Sequence, residues 1–135
     1  MNYIYELELK VRDYECDIQG VVNNSVYQNY LEHTRHEFLD AHQISFAELH
    51  SRGIDAMVSS IEISYKTALR PGDSFISKLS VEKEGARYIF HQAIYRKSDN
   101  KLAIKAKVHA VVVVNGRLAT SLAEFDQLVA LNKPH

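Results

Sequence analysis

The stretch that decides the fold is residues 11–27, which read VRDYECDIQGVVNNSVY. Its first half is polar and acidic, and its second half contains two asparagines and a serine. Asn, Asp and Ser favour turns and helix starts, because their short side chains hydrogen-bond to nearby backbone N–H groups. The stretch therefore predicts a polar loop that leads directly into a helix.

A long amphipathic helix is predicted over residues 24–41. After residue 26, residues suited to a buried face recur at three- and four-residue spacing, which is the period of one helix face. These residues are Tyr27, Tyr30, Leu31, Thr34, Phe38 and Leu39. At ~1.5 Å per residue the helix is roughly 27 Å long, enough to cross a small domain.

Strands are predicted on both sides of this helix. Residues 3–11 alternate apolar and polar side chains, the pattern of a half-buried strand. Four later segments are rich in β-branched and aromatic residues and are separated by short turns, so they should run antiparallel. They are residues 57–69, 75–84, 87–97 and 102–114. In the last segment the even-numbered residues from Leu102 should face the core, with Lys105, Lys107 and His109 opposite.

Two short helices complete the predicted elements. Ser45 and Glu48 have the spacing of a capping box, in which each side chain bonds to the other's backbone N–H, and Gly53 is placed to end that helix. Ser121 and Glu124 repeat the spacing near the end of the chain. The fold class is α+β, one long helix against a curled antiparallel sheet.

Composition limits the classes of function. With 135 residues and 46% hydrophobic content, the chain is expected to form one domain over residues 1–135. Its 16 basic and 17 acidic residues argue against a nucleic-acid partner. The longest apolar run, residues 110–114, is far below the ~20 residues of a membrane span, so no membrane association is expected. The single Cys16 is typical of a reducing compartment, and we expect a cytoplasmic protein.

The loop and helix together resemble a known family. The shared pattern is an aromatic residue, an acid, Thr or Cys, Asp, two spacers, Gly-Val-Val, two polar or aromatic residues, and Tyr ten positions after the Asp. It falls on Tyr14, Glu15, Cys16, Asp17, Gly20, Val21, Val22, Asn23, Asn24 and Tyr27, and is followed by Glu32 and Arg35. It resembles the 4-hydroxybenzoyl-CoA and acyl-CoA thioesterases of the hot-dog superfamily. The likeness extends through residues 63–73, ISYKTALRPGD, and covers roughly residues 5–115.

This resemblance implies a hot-dog fold and an acyl-CoA thioesterase that needs no cofactor. Asp17 would be the nucleophile or general base, and Asn24 would assist it by orienting water or the carbonyl. The start of the long helix would polarise the thioester carbonyl, because its free N–H groups and dipole favour negative charge. Residues expected at the substrate are Gly20, Val22, Asn23, Tyr27, Ser59 and Ser60.

Each of these residues also has a structural interpretation. Asp17 is otherwise an ordinary loop acid, and Asn24 a helix cap. Tyr27 lies on the apolar helix face and belongs more often to a core than to a ligand site. Ser59 and Ser60 are otherwise half-exposed strand residues. Glu32 and Arg35, three residues apart, are expected to form a surface ion pair.

The seven histidines do not indicate a metal site. Their spacings include no His-Glu-x-x-His pattern, and one cysteine cannot supply a multi-cysteine site. No metal is therefore expected.

The sequence leaves three candidate functions and also predicts an oligomer. The first function is acyl-CoA hydrolysis, the second is hydrolysis of acyl groups on acyl carrier protein, and the third is a non-catalytic acyl-CoA binding module. Strands of ten or more residues would leave an edge open to pairing, so a homodimer or homotetramer that joins sheets edge to edge is expected.

Overall fold

The computed structural model describes residues 2–132. The long helix α1 occupies Asn24–Ala41, and the shorter helices are α2, Phe46–Ser51, and α3, Ala123–Ala130. The strands are β1 Tyr5–Lys10, β2 Ile54–Tyr65, β3 Ser74–Glu84, β4 Arg87–Arg96, β5 Lys101–Val114 and β6 Arg117–Ala119.

One antiparallel sheet holds all six strands. Its order is β1-β3-β4-β5-β2, and β6 pairs with the end of β5. The β3–β4 and β4–β5 connections are tight hairpins, whereas β1 and β2 reach their neighbours through longer connections. The predicted α+β hot-dog fold is confirmed.

The core lies between α1 and one face of the sheet. All six predicted helix positions are buried. Near the helix start, Tyr30 and Leu31 pack with Phe75 of β3, and near its end, Phe38 and Leu39 pack against β3, β4 and β5. Packing of this apolar face, more than the intrinsic preference of the residues, stabilises the helix.

The alternation predicted for β5 is correct over most of the strand. Residues 104, 106, 108, 110 and 112 are buried, while Lys105 and Lys107 are exposed. The register slips opposite Ile94 and Tyr95, and there Ala103 is buried in place of Leu102. A bulge shifts which residue faces the core, so the prediction for Leu102 is wrong.

A second bulge interrupts β2 at its middle. Val58 pairs with Ala110 and Ser60 with His109, which leaves Ser59 as the extra residue. Before the bulge, Ala56 and Val58 pair with buried residues of β5. After it, Ile61 and Ile63 pair with buried residues of β5. The bulge therefore keeps both halves of the strand apolar toward the helix.

Several predicted boundaries need correction. β1 begins at Tyr5, whereas the prediction began at residue 3, and β2 covers Ile54–Tyr65 instead of residues 57–69. The strand β6 was not predicted; it follows a turn at Asn115 and Gly116, both of which have a positive φ.

The ends of the short helices also differ from their predictions. Ser45 caps α2 by accepting from the Glu48 N–H, but the Glu48 side chain bonds Arg52 instead of completing the capping box. Helix α3 is preceded by Leu122 without a side-chain cap, so the predicted Ser121 cap is wrong. There the Leu122 N–H donates to the Tyr88 hydroxyl, which fixes the start of the helix.

Candidate active site

The loop before α1 is anchored by a buried acid. A single 3-10 turn, Asp13–Glu15, turns the Glu15 side chain inward. Its Oε1 accepts from the Arg12 backbone N–H at 2.7 Å and from the Tyr30 hydroxyl at 2.8 Å. Burial and this hydrogen bond raise the pKa of Tyr30, so the hydroxyl stays protonated and donates. The loop is thereby tied to the second turn of α1.

Asp17 lies at the start of a tight turn that its own side chain stabilises. Oδ1 accepts from the Gln19 N–H at 2.9 Å and from the Val21 N–H at 3.4 Å, and the Asp17 N–H donates to the Val21 carbonyl at 2.9 Å. The carboxyl group is half-buried. The other oxygen, Oδ2, accepts no hydrogen bond from any described residue. The turn fixes the carboxylate and leaves one oxygen available.

Gly20 closes this turn in a left-handed conformation, with φ of +74°. A Cβ atom there would meet nothing within 4 Å, so glycine is required by the backbone angle and not by crowding. Ile18, at the tip of the turn, is fully exposed.

The far side of the turn is attached to the chain segment after β2. Cys16 and Val22 form an isolated antiparallel bridge, and the Val22 N–H donates to the Leu69 carbonyl at 2.9 Å. The Leu69 N–H in turn donates to the Tyr27 hydroxyl at 3.2 Å. Val22 and Tyr27 are both buried, and the Tyr27 ring lies 5.7 Å from the ring of Tyr65. The structure places these two residues in the core beneath the turn.

The start of α1 exposes polar groups to solvent. Asn23 is the cap residue and Asn24 the first helical residue; both are exposed, and the expected side-chain cap is absent. Within the described residues the backbone N–H groups of Asn24 and Ser25 donate to no partner. Free N–H groups at a helix start attract anions and developing negative charge. Asn24 and Ser25 follow Asp17 by seven and eight positions along the chain.

Ser59 and Ser60 do not lie near Asp17 in one chain. Both are exposed at the β2 bulge, where the Ser59 hydroxyl donates to the His109 carbonyl at 3.2 Å. The Asp17 turn is attached beyond Tyr65, at the end of the same strand. At ~3.3 Å per residue, the separation along β2 is about 20 Å. Within one chain, Ser59 and Ser60 are therefore too far from Asp17 to contact the same small group.

A cavity of about 540 Å³ opens on the other side of α1, between that helix, α2 and the first residues of β2. Most of its wall is apolar, and it also contains Arg35, Glu32, His36, His50 and Asp55. The apolar side chains are Leu39, Phe46, Ala47, Ile54, Ala56, Met57, Val58, Phe90, Ala110 and Phe125. None of the residues predicted for the site lines this cavity.

Arg35 is not in the predicted surface ion pair. Its guanidinium is buried and donates from Nη1 to the Gln92 Oε1 at 3.0 Å, and Gln92 donates to the Leu31 carbonyl. Glu32 is exposed and lies 3.9 Å from His36. The prediction is wrong because Arg35, like its neighbour Thr34, lies on the buried side of the helix. Sequence reasoning therefore missed Arg35 and Gln92 as cavity and core residues, although a polar Gln92 in the alternating apolar series of β4 was a signal.

Within residues 2–132, no cluster of three or more His, Cys, Asp or Glu side chains is arranged to hold a metal ion. In the same range no helix combines the length and the apolar character needed to cross a membrane.

The fold and the loop define a class of protein: an α+β hot-dog fold with an ordered acidic turn at the start of its long helix. The sequence profile described as the Thioesterase-like superfamily matches residues 11–130. The chain belongs to this superfamily.

Similar sequences and structures carry related names. An acyl-acyl carrier protein thioesterase of Arabidopsis thaliana, named as chloroplastic, is 39% identical over 116 residues, which are 85% of this chain and 61% of the relative. This chain thus spans about three fifths of the length of that relative.

Two solved structures share the fold. One is a 1,4-dihydroxy-2-naphthoyl-CoA thioesterase from Synechocystis, with a TM-score of 0.88 and 17% identity over 96% of this chain and 98% of that chain. The other is a Staphylococcus aureus protein solved in complex with CoA, with a TM-score of 0.85 and 17% identity over 96% of this chain and 85% of that chain. At these identities the likeness shows the fold alone.

Proposed function

We propose that this protein hydrolyses an acyl-CoA thioester to a free acid and CoA. The observation that carries the proposal is the fixed Asp17 carboxylate, with Oδ2 free, a few residues before the unpaired N–H groups of Asn24 and Ser25. A carboxylate beside hydrogen-bond donors for an oxyanion is the arrangement that acyl transfer requires.

The reaction follows from these two features. The thioester carbonyl oxygen accepts from the helix-start N–H groups, which stabilise the negative charge that develops there. Asp17 either takes a proton from a water that attacks the carbonyl carbon, or attacks that carbon itself and forms an anhydride that water then hydrolyses, which frees the acid and regenerates the carboxylate. The carbon–sulfur bond breaks, and the thiolate leaves without strong acid assistance because thiol pKa values are near ~8.5. Asn24, exposed at the first position of the helix, orients the water or the carbonyl.

We also propose that the working unit is a homodimer, alone or within a tetramer, formed through the β2 edges. β2 is a long edge strand, and Met57 and Val58 expose apolar surface on it. Antiparallel pairing of two β2 strands about their midpoints places the Tyr65 end of one against the Ile54 end of the other. The Asp17 turn of one copy then lies near the cavity of the second copy, with Ser59 and Ser60 between them.

In this dimer Asp17, Gly20, Asn23 and Asn24 surround the thioester, and the apolar cavity of the second copy holds the acyl group. Val22 and Tyr27 support the turn from below, through their bonds to Leu69. A cavity of about 540 Å³ is within the usual range for small-molecule sites. We expect a cytoplasmic setting from the single, unpaired Cys16.

Acyl carrier protein is the second candidate carrier of the acyl group. It is favoured by the plant relative, which is named for that substrate and covers 85% of this chain. The Staphylococcus aureus structure that contains CoA shares the fold at 17% identity. The chemistry at Asp17 is the same for both carriers, because each presents the acyl group as a thioester.

The experiment is thiol release from short aliphatic, long aliphatic and aromatic acyl-CoAs and from the matching acyl carrier proteins. Asp17→Asn keeps an Oδ1 that accepts from Gln19 and Val21, so the turn should survive. We expect turnover to fall by ~10²-fold or more. The control is Asp13→Asn in the same loop, whose Oδ1 bonds only the Tyr14 N–H. Equal activity of the Asp17 variant and native protein would overturn the assignment, and binding without thiol release would indicate a non-catalytic acyl-CoA module.

A further inference from the structure

Arg35 occupies an unusual position in the cavity wall. It is 8% exposed, and it lines the cavity beside Leu39 and Phe90. One hydrogen bond joins it to a described side chain, from Nη1 to Gln92 Oε1 at 3.0 Å. A guanidinium carries five N–H donors, so most of its donor capacity is not used by the described residues.

The charge of Arg35 also lacks a close counter-ion. Across the described residues, no carboxylate oxygen lies within 4.0 Å of its guanidinium. Glu32 is the nearest acidic influence, but its side chain is 60% exposed and lies beside His36. Burial lowers the pKa of Arg35, yet arginine stays protonated in proteins. A buried cation of this kind is costly unless something compensates it.

The surroundings indicate what compensates the charge. The cavity wall also contains Glu32, His36, His50 and Asp55, but most of it is hydrocarbon from residues that include Leu39, Phe46, Ile54 and Phe90. A purely alkyl ligand would fill this space and leave the guanidinium donors unsatisfied and dry. A ligand with an apolar body and an oxygen acceptor satisfies both parts of the wall, because oxygen acceptors match the donor fork of arginine.

We propose that Arg35 determines specificity by hydrogen-bonding an oxygen in the acyl group, so that the preferred substrate is a thioester of a keto or carboxylate-bearing chain. This proposal rests on the proposed thioester hydrolysis. Gln92 acts as a positioning residue: it holds Nη1 through Oε1 and is itself held by the Leu31 carbonyl at 3.0 Å. The guanidinium is then a fixed group in the cavity wall.

The first test uses native protein and four eight-carbon acyl-CoAs. One chain is unsubstituted, one has a keto group at C3, near the thioester, one has a mid-chain keto group, and one ends in a carboxylate. We expect kcat/KM for at least one oxygenated chain to exceed that of octanoyl-CoA by about 10-fold or more, because a site built around a polar group rejects the analogue that lacks it. Equal or higher kcat/KM for octanoyl-CoA than for all three overturns the proposal.

The second test uses Arg35→Met, Arg35→Lys and the exposed control Arg87→Met. Arg35→Met should remove the selectivity ratio while it keeps or raises kcat/KM for octanoyl-CoA, and Arg35→Lys should retain part of the ratio since it keeps the charge. Arg87→Met should match native protein. A selectivity ratio unchanged in Arg35→Met overturns the proposal, and melting curves show whether each variant is folded.

A separate readout distinguishes failure of this proposal from failure of the proposed function. Calorimetry with octanoate and with the eight-carbon diacid measures binding without any turnover. Stronger binding of the diacid, lost in Arg35→Met, supports the role of Arg35 even if no thioester is hydrolysed. Equal binding of both acids by native protein contradicts it, whatever the hydrolysis assays give.

Discussion

The Tyr30 hydroxyl donates a 2.8 Å hydrogen bond to Glu15 Oε1, across 15 positions of sequence. Tyr30 belongs to the buried face of α1, and Glu15 is two residues before Asp17. The bond therefore connects the core helix to the loop that carries the proposed catalytic carboxylate. It explains how an exposed turn can keep a fixed orientation relative to the helix start.

Tyr30→Phe tests this connection. The substitution removes the hydroxyl and leaves the buried Glu15 carboxylate with Arg12 alone. A buried acceptor that loses its donor costs about 1–3 kcal/mol, so the free energy of unfolding in urea should fall by that amount. Tyr14→Phe is the control, since this ring is 75% exposed and its change should stay within ±0.5 kcal/mol. Equal unfolding midpoints for both variants would contradict the role of the bond.

Gly20→Ala separates backbone strain from function. Gly20 and Gly85 have φ of +74° and +62°, and a Cβ at either position meets no atom within 4 Å. Each alanine variant should therefore lose about 1–2 kcal/mol of stability from the left-handed backbone alone. Only Gly20→Ala alters the Asp17 turn, so thiol-release assays should show a lower kcat in that variant and native kcat in Gly85→Ala. A similar kcat in both would argue that the turn geometry does not matter.

The raised pKa of Tyr88 leads us to expect that the protein loses stability at alkaline pH. Burial and a hydrogen bond to Asp126 raise the pKa of Tyr88 to about 12, above its ordinary value near 10. The folded state thus holds this proton more tightly than the unfolded state. The resulting stability is complete below about pH 10 and decreases as the pH rises toward 12.

The measurement is the free energy of unfolding in urea from pH 8 to pH 12. Tyr88→Phe should be less stable than native protein at pH 8, because the Leu122 N–H and Asp126 lose their partner. Its stability should then decrease less steeply above pH 10. A native-like slope in the variant would mean that other groups cause the alkaline loss.

The sequence predicted the features that depend on local periodicity. The helix α1 was predicted at residues 24–41 and occupies Asn24–Ala41, because three- and four-residue spacing persists through four turns. Alternation identified the buried face of β5 as far as the bulge near Leu102. The motif around Asp17 indicated the family, and the family profile over residues 11–130 confirms that resemblance.

The features that sequence did not predict depend on long-range contacts. Arg35 is buried because Gln92, 57 positions later, supplies an acceptor beneath the helix. The bulge at Ser59 changes which residues face the core, yet Val58 and Ile61 on either side give no sign of an extra residue. Only the sheet order shows that β2 is an edge strand. The cavity lies at the Ile54 end of this strand, and the Asp17 turn is attached beyond its Tyr65 end.

The edge position of β2 leads to a prediction about assembly. Met57 is 55% exposed in the first half of this strand. When two β2 strands pair antiparallel about their midpoints, position 57 of one copy lies opposite position 62 of the other, so Met57→Glu sets a new carboxylate against Glu62 of the second copy at two places in one interface. Like charges in a desolvated interface are strongly unfavourable. Sedimentation should show native protein at twice the chain mass or a multiple of it and the variant shifted toward the single chain. Leu118→Glu, a similar change at a 63% exposed residue of β6, should leave the assembly intact; dissociation of that control instead would place the interface on another face of the sheet.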